Sequence, residues 1–158
     1  MIICKCFLRY DVRKSLNINS LIILVRVNAP MHNAELDIAL REFVNSIGSE
    51  VLGAMLIYRS GFIISSVARG GIDVKSLSAV IAAVKGSVDK LLTRSGIGST
   101  GLILFTAGNY LIALLPINND VILVSLAHRD SNIGLILMGL DYAKERIGKI
   151  MYANDLII

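Results

Sequence analysis

No charged side chain lies between Arg94 and Asp120, a stretch long enough to cross a bilayer as a helix. Turn-forming or polar residues interrupt it repeatedly: Gly101, Thr106, Gly108, Asn109 and Pro116. They divide the stretch into apolar runs of strand length instead of one continuous helix. Because both alternating sets of residues in these runs are apolar, both faces of the resulting sheet must be covered. The stretch therefore predicts buried strands in a layered domain rather than a membrane span.

Three apolar runs at the centre of the chain predict an antiparallel meander. They cover Thr100–Ala107, Tyr110–Pro116 and Val121–Ala127, with short turns of Gly, Asn and Asp between them. Upstream, the runs Val51–Tyr58 and Phe62–Ala68 flank a turn that ends in a glycine and predict a β-hairpin. The sequence thus predicts five strands.

The first and last predicted helices enclose this sheet-forming region. The first covers residues 34–49; Asn33 is its predicted N-terminal cap and Gly48 its predicted closing residue. The last begins after a cap at Asp130 or Ser131. Apolar residues recur at helical spacing in both. The predicted inward residues are Leu36, Leu40, Phe43, Val44 and Ile47 in the first helix, and Ile133, Ile136, Leu137, Leu140 and Ile147 in the last.

The longest helical pattern begins after Asp73 and ends near Ser95. Steps of three and four residues predict one buried stripe, made of Val74, Leu77, Ile81, Val84, Val88 and Leu91. Small residues lie opposite, at Ala79, Ala82, Ala83 and Gly86. They indicate either an ordinary exposed face rich in alanine or a close helix–helix contact, most simply with a second copy of the chain.

The element order α-β-β-α-β-β-β-α predicts the α+β class: a three-layer α/β/α sandwich around a five-stranded antiparallel sheet. The net charge of +4 is confined to residues 1–30, because basic and acidic residues balance from Met31 onward. We expect a basic arm over residues 1–30, flexible or an upstream extension, and a single domain over residues 31–158. The chain lacks a basic stripe and a secretory signal, so the sequence favours a cytoplasmic protein and no nucleic-acid partner.

The sequence contains matches to enzymatic motifs, but none lies in the structural context that its chemistry requires. The run Gly96–Gly101 matches a dinucleotide-binding fingerprint, but it follows a predicted helix and precedes a strand, the reverse of what that site needs. Neither His32 nor His128 has neighbours that would complete a catalytic triad or a metal site. We therefore predict no enzyme, no catalytic or metal-binding residues and no cofactor.

Two local patterns, taken with the element order, resemble the roadblock family (the roadblock and dynein light chain group, here of prokaryotic type). Residues 53–66, GAMLIYRSGFIISS, look like the family's first hairpin, and residues 128–135, HRDSNIGL, look like its entry into the last helix. The family commonly carries acidic residues in the hairpin turn, where this chain has Tyr58 and Ser60.

The resemblance implies a non-enzymatic homodimer that binds a Ras-like small GTPase or serves as a scaffold. In such a dimer the third strand of each copy would pair with that of the other at the sheet edge, and the two long middle helices would pack side by side. The predicted dimer interface is Ala79, Ala82, Ala83, Gly86, Leu102 and Leu104. Five residues are expected to stay accessible to the GTPase, because they flank the buried stripe of the long helix or lie on the loop before it. They are Arg69, Lys75, Ser78, Lys85 and Asp89. Membrane contact would be peripheral, through the arm or the partner. The alternative is a small-ligand sensory or trafficking module of profilin, PAS or longin type.

Overall fold

The computed structural model describes residues 34–153. Within them the chain forms three α-helices, a short 3-10 turn and five strands, in the predicted order. The basic arm over residues 1–30 and the proposed cap Asn33 lie outside the described residues. The elements are α1 Ala34–Ile47, the 3-10 turn Gly48–Glu50, β1 Val51–Tyr58, β2 Ile63–Ala68, α2 Val74–Arg94, β3 Ile103–Ala107, β4 Tyr110–Pro116, β5 Val121–His128 and α3 Ile133–Ala153.

All five strands belong to one sheet with the order β2-β1-β5-β4-β3, and every pair is antiparallel. β5 lies between β1 and β4, so the hairpin and the meander form one continuous surface. β2 and β3 are the edges among the described strands. Gly61 makes the β1–β2 turn with φ of +90°, which a residue without a Cβ adopts easily.

The sheet is covered on both faces, as predicted. α1 and α3 pack on one face and bury residues such as Leu40, Leu56 and Ile147. α2 packs on the other, over a smaller core that contains Met55 and Ile81. The predicted inward residues of α1 are all buried. In α3 the prediction is wrong for Ile133, which is 46% exposed because it lies before the buried stripe begins at Ile136.

The N-terminus of α3 is capped by Asn132, not by Asp130 or Ser131. The Asn132 Oδ1 accepts a hydrogen bond from the Leu135 backbone N–H at 3.2 Å. The Asn132 N–H itself donates to the Glu50 carboxylate at 2.8 Å. A contact between segments far apart in the chain therefore selects which of three possible residues begins the helix.

Helix α2 differs most from its prediction. Of its expected apolar stripe only Ile81 is fully buried, and Leu91 is 65% exposed. The polar residues Ser78, Lys85 and Asp89 are buried instead. The helix is thus rotated about its axis relative to the apolar pattern. The rotation is tolerated because the Lys85 and Asp89 side chains form an ion pair, which removes the main penalty for burying either charge alone.

Strand β3 begins at Ile103, later than the predicted start at Thr100. The Thr100 backbone N–H donates to the Asp89 carboxylate at 3.0 Å, so Thr100 is held by α2 rather than by a neighbouring strand. Leu102 consequently precedes the strand, while Leu104 lies within it. The predicted start of this strand is therefore wrong, and the reason is again a polar contact of α2.

Gly53 allows β1 and β2 to approach closely, and this leads to a prediction. A Cβ at this position would lie 2.7 Å from the Val67 carbonyl oxygen and 3.0 Å from the Ala68 Cα, both backbone atoms of the paired strand. We expect Gly53→Ala to lower the free energy of unfolding by about 1–3 kcal/mol, measured by urea denaturation. Gly148→Ala is the control, because a Cβ there meets nothing within 4 Å. Equal stability of wild type and Gly53→Ala would contradict the prediction.

Candidate interaction surfaces and a buried charged cluster

Helix α2 carries an exposed apolar flank, which we define as Val80, Val84 and Leu91. Val80 is 58% exposed and Leu91 is 65% exposed, and Val84 is half-buried. The three residues lie on one side of the helix because their spacing of four and seven residues follows the helical repeat. A row of large apolar side chains left in water is typical of a surface that another protein covers.

Strand β3 offers a second incomplete surface on the same domain. It pairs only with β4 among the described strands, and Leu104 on it and Leu102 before it are exposed. Ile103 and Phe105 are half-buried and pack against the core beneath α2. An edge strand with apolar side chains and unpaired backbone groups is suited to strand pairing.

The small-residue face of α2 has a contact within the chain. A Cβ placed at Gly61 would lie 3.4 Å from the Ala82 Cβ and 3.5 Å from the Ala79 Cα, so the β1–β2 turn passes close to both alanines. Ala83 is exposed and Gly86 is half-buried, with nothing within 4 Å of a Cβ at Gly86. Part of the small-residue face is thus next to Gly61 of the same chain and is not wholly open to a second copy.

Asp89 is the centre of a buried charged cluster. Its carboxylate accepts hydrogen bonds from the Lys85 ammonium at 2.6 and 2.7 Å and from the Arg59 guanidinium at 3.0 Å. The backbone N–H and the hydroxyl of Thr100 donate to it at 3.0 and 2.6 Å. Burial opposes ionisation of Asp89, but the hydrogen bonds from Lys85 and Thr100 outweigh it and lower the pKa of Asp89 to about 2. The carboxylate is therefore charged at neutral pH.

This cluster connects α2 with three other segments of the chain. Arg59 belongs to the β1–β2 turn, Thr100 to the connection between α2 and β3, and the Arg59 guanidinium also donates to the Asn119 carbonyl in the β4–β5 turn at 3.3 Å. A cleft of about 160 Å³ lies among these segments, with Arg59, Lys85, Asp89, Ser99, Thr100 and Asn119 in its lining. Arg59 is half-exposed, whereas Lys85 and Asp89 are only 5% and 6% exposed.

The five residues predicted to face a GTPase do not form one patch. Lys75 is exposed in the first turn of α2, but Arg69 bonds to the Gly48 carbonyl at 3.0 Å, at the end of α1 across the sheet. The prediction that Ser78, Lys85 and Asp89 stay accessible is wrong, because all three are buried. Ser78 donates to the Lys75 carbonyl at 2.9 Å.

Sequence reasoning missed Arg59 and Thr100 as members of the charged cluster. In the sequence, Arg59 is only part of a predicted turn, and Thr100 is only part of a glycine-rich connection and the first residue of a predicted strand. The usable signal was the Lys85–Asp89 pair, which is spaced by four residues and adjoins the apolar stripe. Its partners lie 30 and 11 residues away in the chain, so no local pattern could indicate them.

No described helix is long and apolar enough to cross a membrane. Within residues 34–153, no group of three or more His, Cys, Asp or Glu side chains is arranged to hold a metal ion.

No protein-family model matches the chain, and no curated protein matches it. Its fold matches solved structures. MglB from Myxococcus xanthus has a TM-score of 0.70 at 17% identity, covering 77% of this chain and 98% of that one. A Roadblock/LC7 domain from Streptomyces avermitilis has a TM-score of 0.65 at 14% identity, covering 78% and 100%. Profilin II from Acanthamoeba castellanii has a TM-score of 0.52 at 12% identity, covering 72% and 97%. The chain thus has a roadblock-type fold, as the resemblance implied.

Proposed function

We propose that this chain is a non-enzymatic homodimeric regulator or scaffold that binds a Ras-like small GTPase. The observation that carries the proposal is the presence of two incomplete surfaces in a roadblock-type fold, the α2 flank and the edge strand β3. Half-buried residues of both elements, such as Leu77 and Phe105, belong to one hydrophobic cluster. A second copy related by a twofold axis would cover both surfaces at once, since each copy presents the same pair.

Self-association through these elements gives the GTPase a platform of two α2 helices. Lys75 is the accessible member of the predicted contact set on α2. Lys85 and Asp89 are buried, so a GTPase can reach them only through the cleft that they line and not on the open surface of α2. Arg69 is exposed but lies toward α1. A GTPase that contacts Arg69 must therefore extend beyond the platform of the two α2 helices. The domain organisation that we propose is a basic arm over residues 1–30 and a single domain over residues 31–158.

The proposed regulator recognises the state of its GTPase, and this can be measured. We expect tighter binding to one of the two nucleotide states, GDP or a GTP analogue, because only a difference in affinity lets a partner bias a switch. The measurement is calorimetric titration against each small GTPase of the source organism. Lys75→Glu is expected to weaken binding about threefold to tenfold by reversing one charge at the interface. Lys149→Glu, on the exposed side of α3, is the matched control.

Two outcomes would limit the proposal in different ways. Equal affinity for the two nucleotide states would reduce the protein to a passive scaffold. Failure to bind any small GTPase of its own cell would contradict the proposed function.

The ligand-binding alternative has less support. The profilin likeness is weaker than the likeness to MglB or to the Roadblock/LC7 domain. The cleft at Asp89 holds about 160 Å³, below the range of roughly 300–1,000 Å³ of small-molecule pockets. The size of the cleft therefore does not favour the ligand-binding alternative.

A further inference from the structure

The Arg59 and Lys85 side chains at the cleft carry more N–H groups than the Asp89 carboxylate accepts. Asp89 already accepts five hydrogen bonds, three on Oδ1 and two on Oδ2, so its carboxylate has no room for another donor. The Lys85 ammonium has three N–H groups, and within residues 34–153 its hydrogen bonds go to Asp89 alone. Of the five N–H groups of Arg59, two donate, to Asp89 and to the Asn119 carbonyl. Both cations therefore keep free N–H groups beside the cleft.

We propose that this cleft binds one carboxylate group supplied by a protein partner, from a Glu or Asp side chain. The lining carries two positive charges, Arg59 and Lys85, against the single negative charge of Asp89. One further carboxylate makes the cleft neutral and accepts from both cations. A guanidinium suits this role because its planar N–H groups match the two oxygens of a carboxylate.

Burial of Lys85 makes the contact stronger than a surface ion pair. The residue is 5% exposed, so bulk water competes poorly for its remaining N–H. Charge-assisted hydrogen bonds gain strength in such surroundings. Arg59 is half-exposed and is therefore the first cation that an incoming carboxylate meets. The arrangement gives a charged entrance and a buried end.

Size and position indicate the source of the carboxylate. A cleft of about 160 Å³ admits the end of one acidic side chain but not a nucleotide. It is built by α2, by the connection from α2 to β3 and by the β1–β2 and β4–β5 turns, and α2 is the element to which we assign the partner platform. The identity of the partner therefore rests on the proposed function, whereas the preference for a carboxylate rests on the cleft itself.

Sodium acetate is the probe for the carboxylate, with acetamide as a neutral molecule of the same shape and sodium chloride at equal ionic strength. Acetate is titrated into the full chain labelled with ¹⁵N. We expect saturable shifts of the backbone amide signals of Ser99, Thr100 and Asn119, with a dissociation constant on the order of 10 mM for so small a ligand. Acetamide and chloride are expected to leave these signals in place. Equal shifts with all three solutes would overturn the proposal.

Substitutions then test the two cations. Arg59→Gln is expected to weaken acetate binding about threefold and Lys85→Met about tenfold, because Lys85 is the more buried. Lys90→Gln, an exposed lysine on the same helix, is the control and should bind as the wild type does. If Lys85→Met does not fold, Lys85→Met combined with Asp89→Leu removes the whole ion pair and should likewise weaken acetate binding about tenfold. Unchanged acetate affinity in Arg59→Gln would contradict the assignment.

A second measurement separates this inference from the proposed function. If the partner inserts a carboxylate, Arg59→Gln should weaken GTPase binding about tenfold while Lys90→Gln leaves it unchanged. A GTPase that binds wild type and Arg59→Gln equally well would refute docking at the cleft and leave the proposed function intact. Acetate binding without binding of any GTPase would support the carboxylate site and count against the proposed function.

Discussion

Replacing Val80 and Leu91 with Glu in one variant is expected to turn the proposed dimer into a monomer. Both side chains are mostly exposed in the single chain, so their replacement should leave the monomer fold intact. In the dimer each would be buried in both copies. Burying one such apolar side chain contributes about 1.5–3 kcal/mol, so we expect self-association to weaken at least about a hundredfold. Sedimentation equilibrium at micromolar concentration measures the change.

The matched control is Ala83→Glu, on the small-residue face of the same helix. It introduces the same charge at an exposed position about 60–100° around the helix axis from the residues of the α2 flank. If Ala83→Glu abolishes self-association while the double variant remains dimeric, the interface is the small-residue face at Ala79, Ala82, Ala83 and Gly86. A wild-type chain that sediments as a monomer would contradict self-association through either face.

Asp89→Asn is expected to lower the free energy of unfolding by about 3–5 kcal/mol. The substitution keeps the shape of the side chain but removes the negative charge that neutralises Lys85, and a buried ammonium left without a counter-charge is strongly destabilising. Urea denaturation at pH 7 measures the loss. Asp141→Asn, an exposed carboxylate on α3, is the control and is expected to change stability by less than about 0.5 kcal/mol. A similar loss in both variants would contradict a special role for Asp89.

The stabilisation by Asp89 should also depend on pH in one direction. The pKa of Asp89 is about 2 in the folded chain, below the value of about 3.9 in an unfolded chain. A lowered pKa contributes stability that is fully present above about pH 4 and is lost as the pH falls toward 2. We therefore expect the difference between wild type and Asp89→Asn to be constant from pH 5 to 7 and to shrink below pH 4. A difference that does not shrink there would contradict the assigned ionisation.

Local patterns in the sequence were sufficient to predict the order of the elements. The stripe of α1 from Leu36 to Ile47 repeats at helical spacing, and the hairpin turn ends in Gly61, so each segment carries its own signal within a few residues. The apolar character of both faces of β4 and β5 likewise predicted two covering layers. The resemblance to roadblock proteins added the strand at the edge, and β3 does lie at an edge of the sheet.

Only the tertiary structure decided which side of α2 faces the sheet. Periodicity placed Leu91 inward and Lys85 and Asp89 outward, and the fold reversed this. The physical reason is that a charge can be buried when partners satisfy it, and two partners of Asp89, Arg59 and Thr100, come from other segments. The same holds for the cap of α3, which depends on Glu50. The sequence by itself therefore determined what each segment becomes, while long-range polar contacts determined the rotation of α2 and, with it, the surfaces left open to partners.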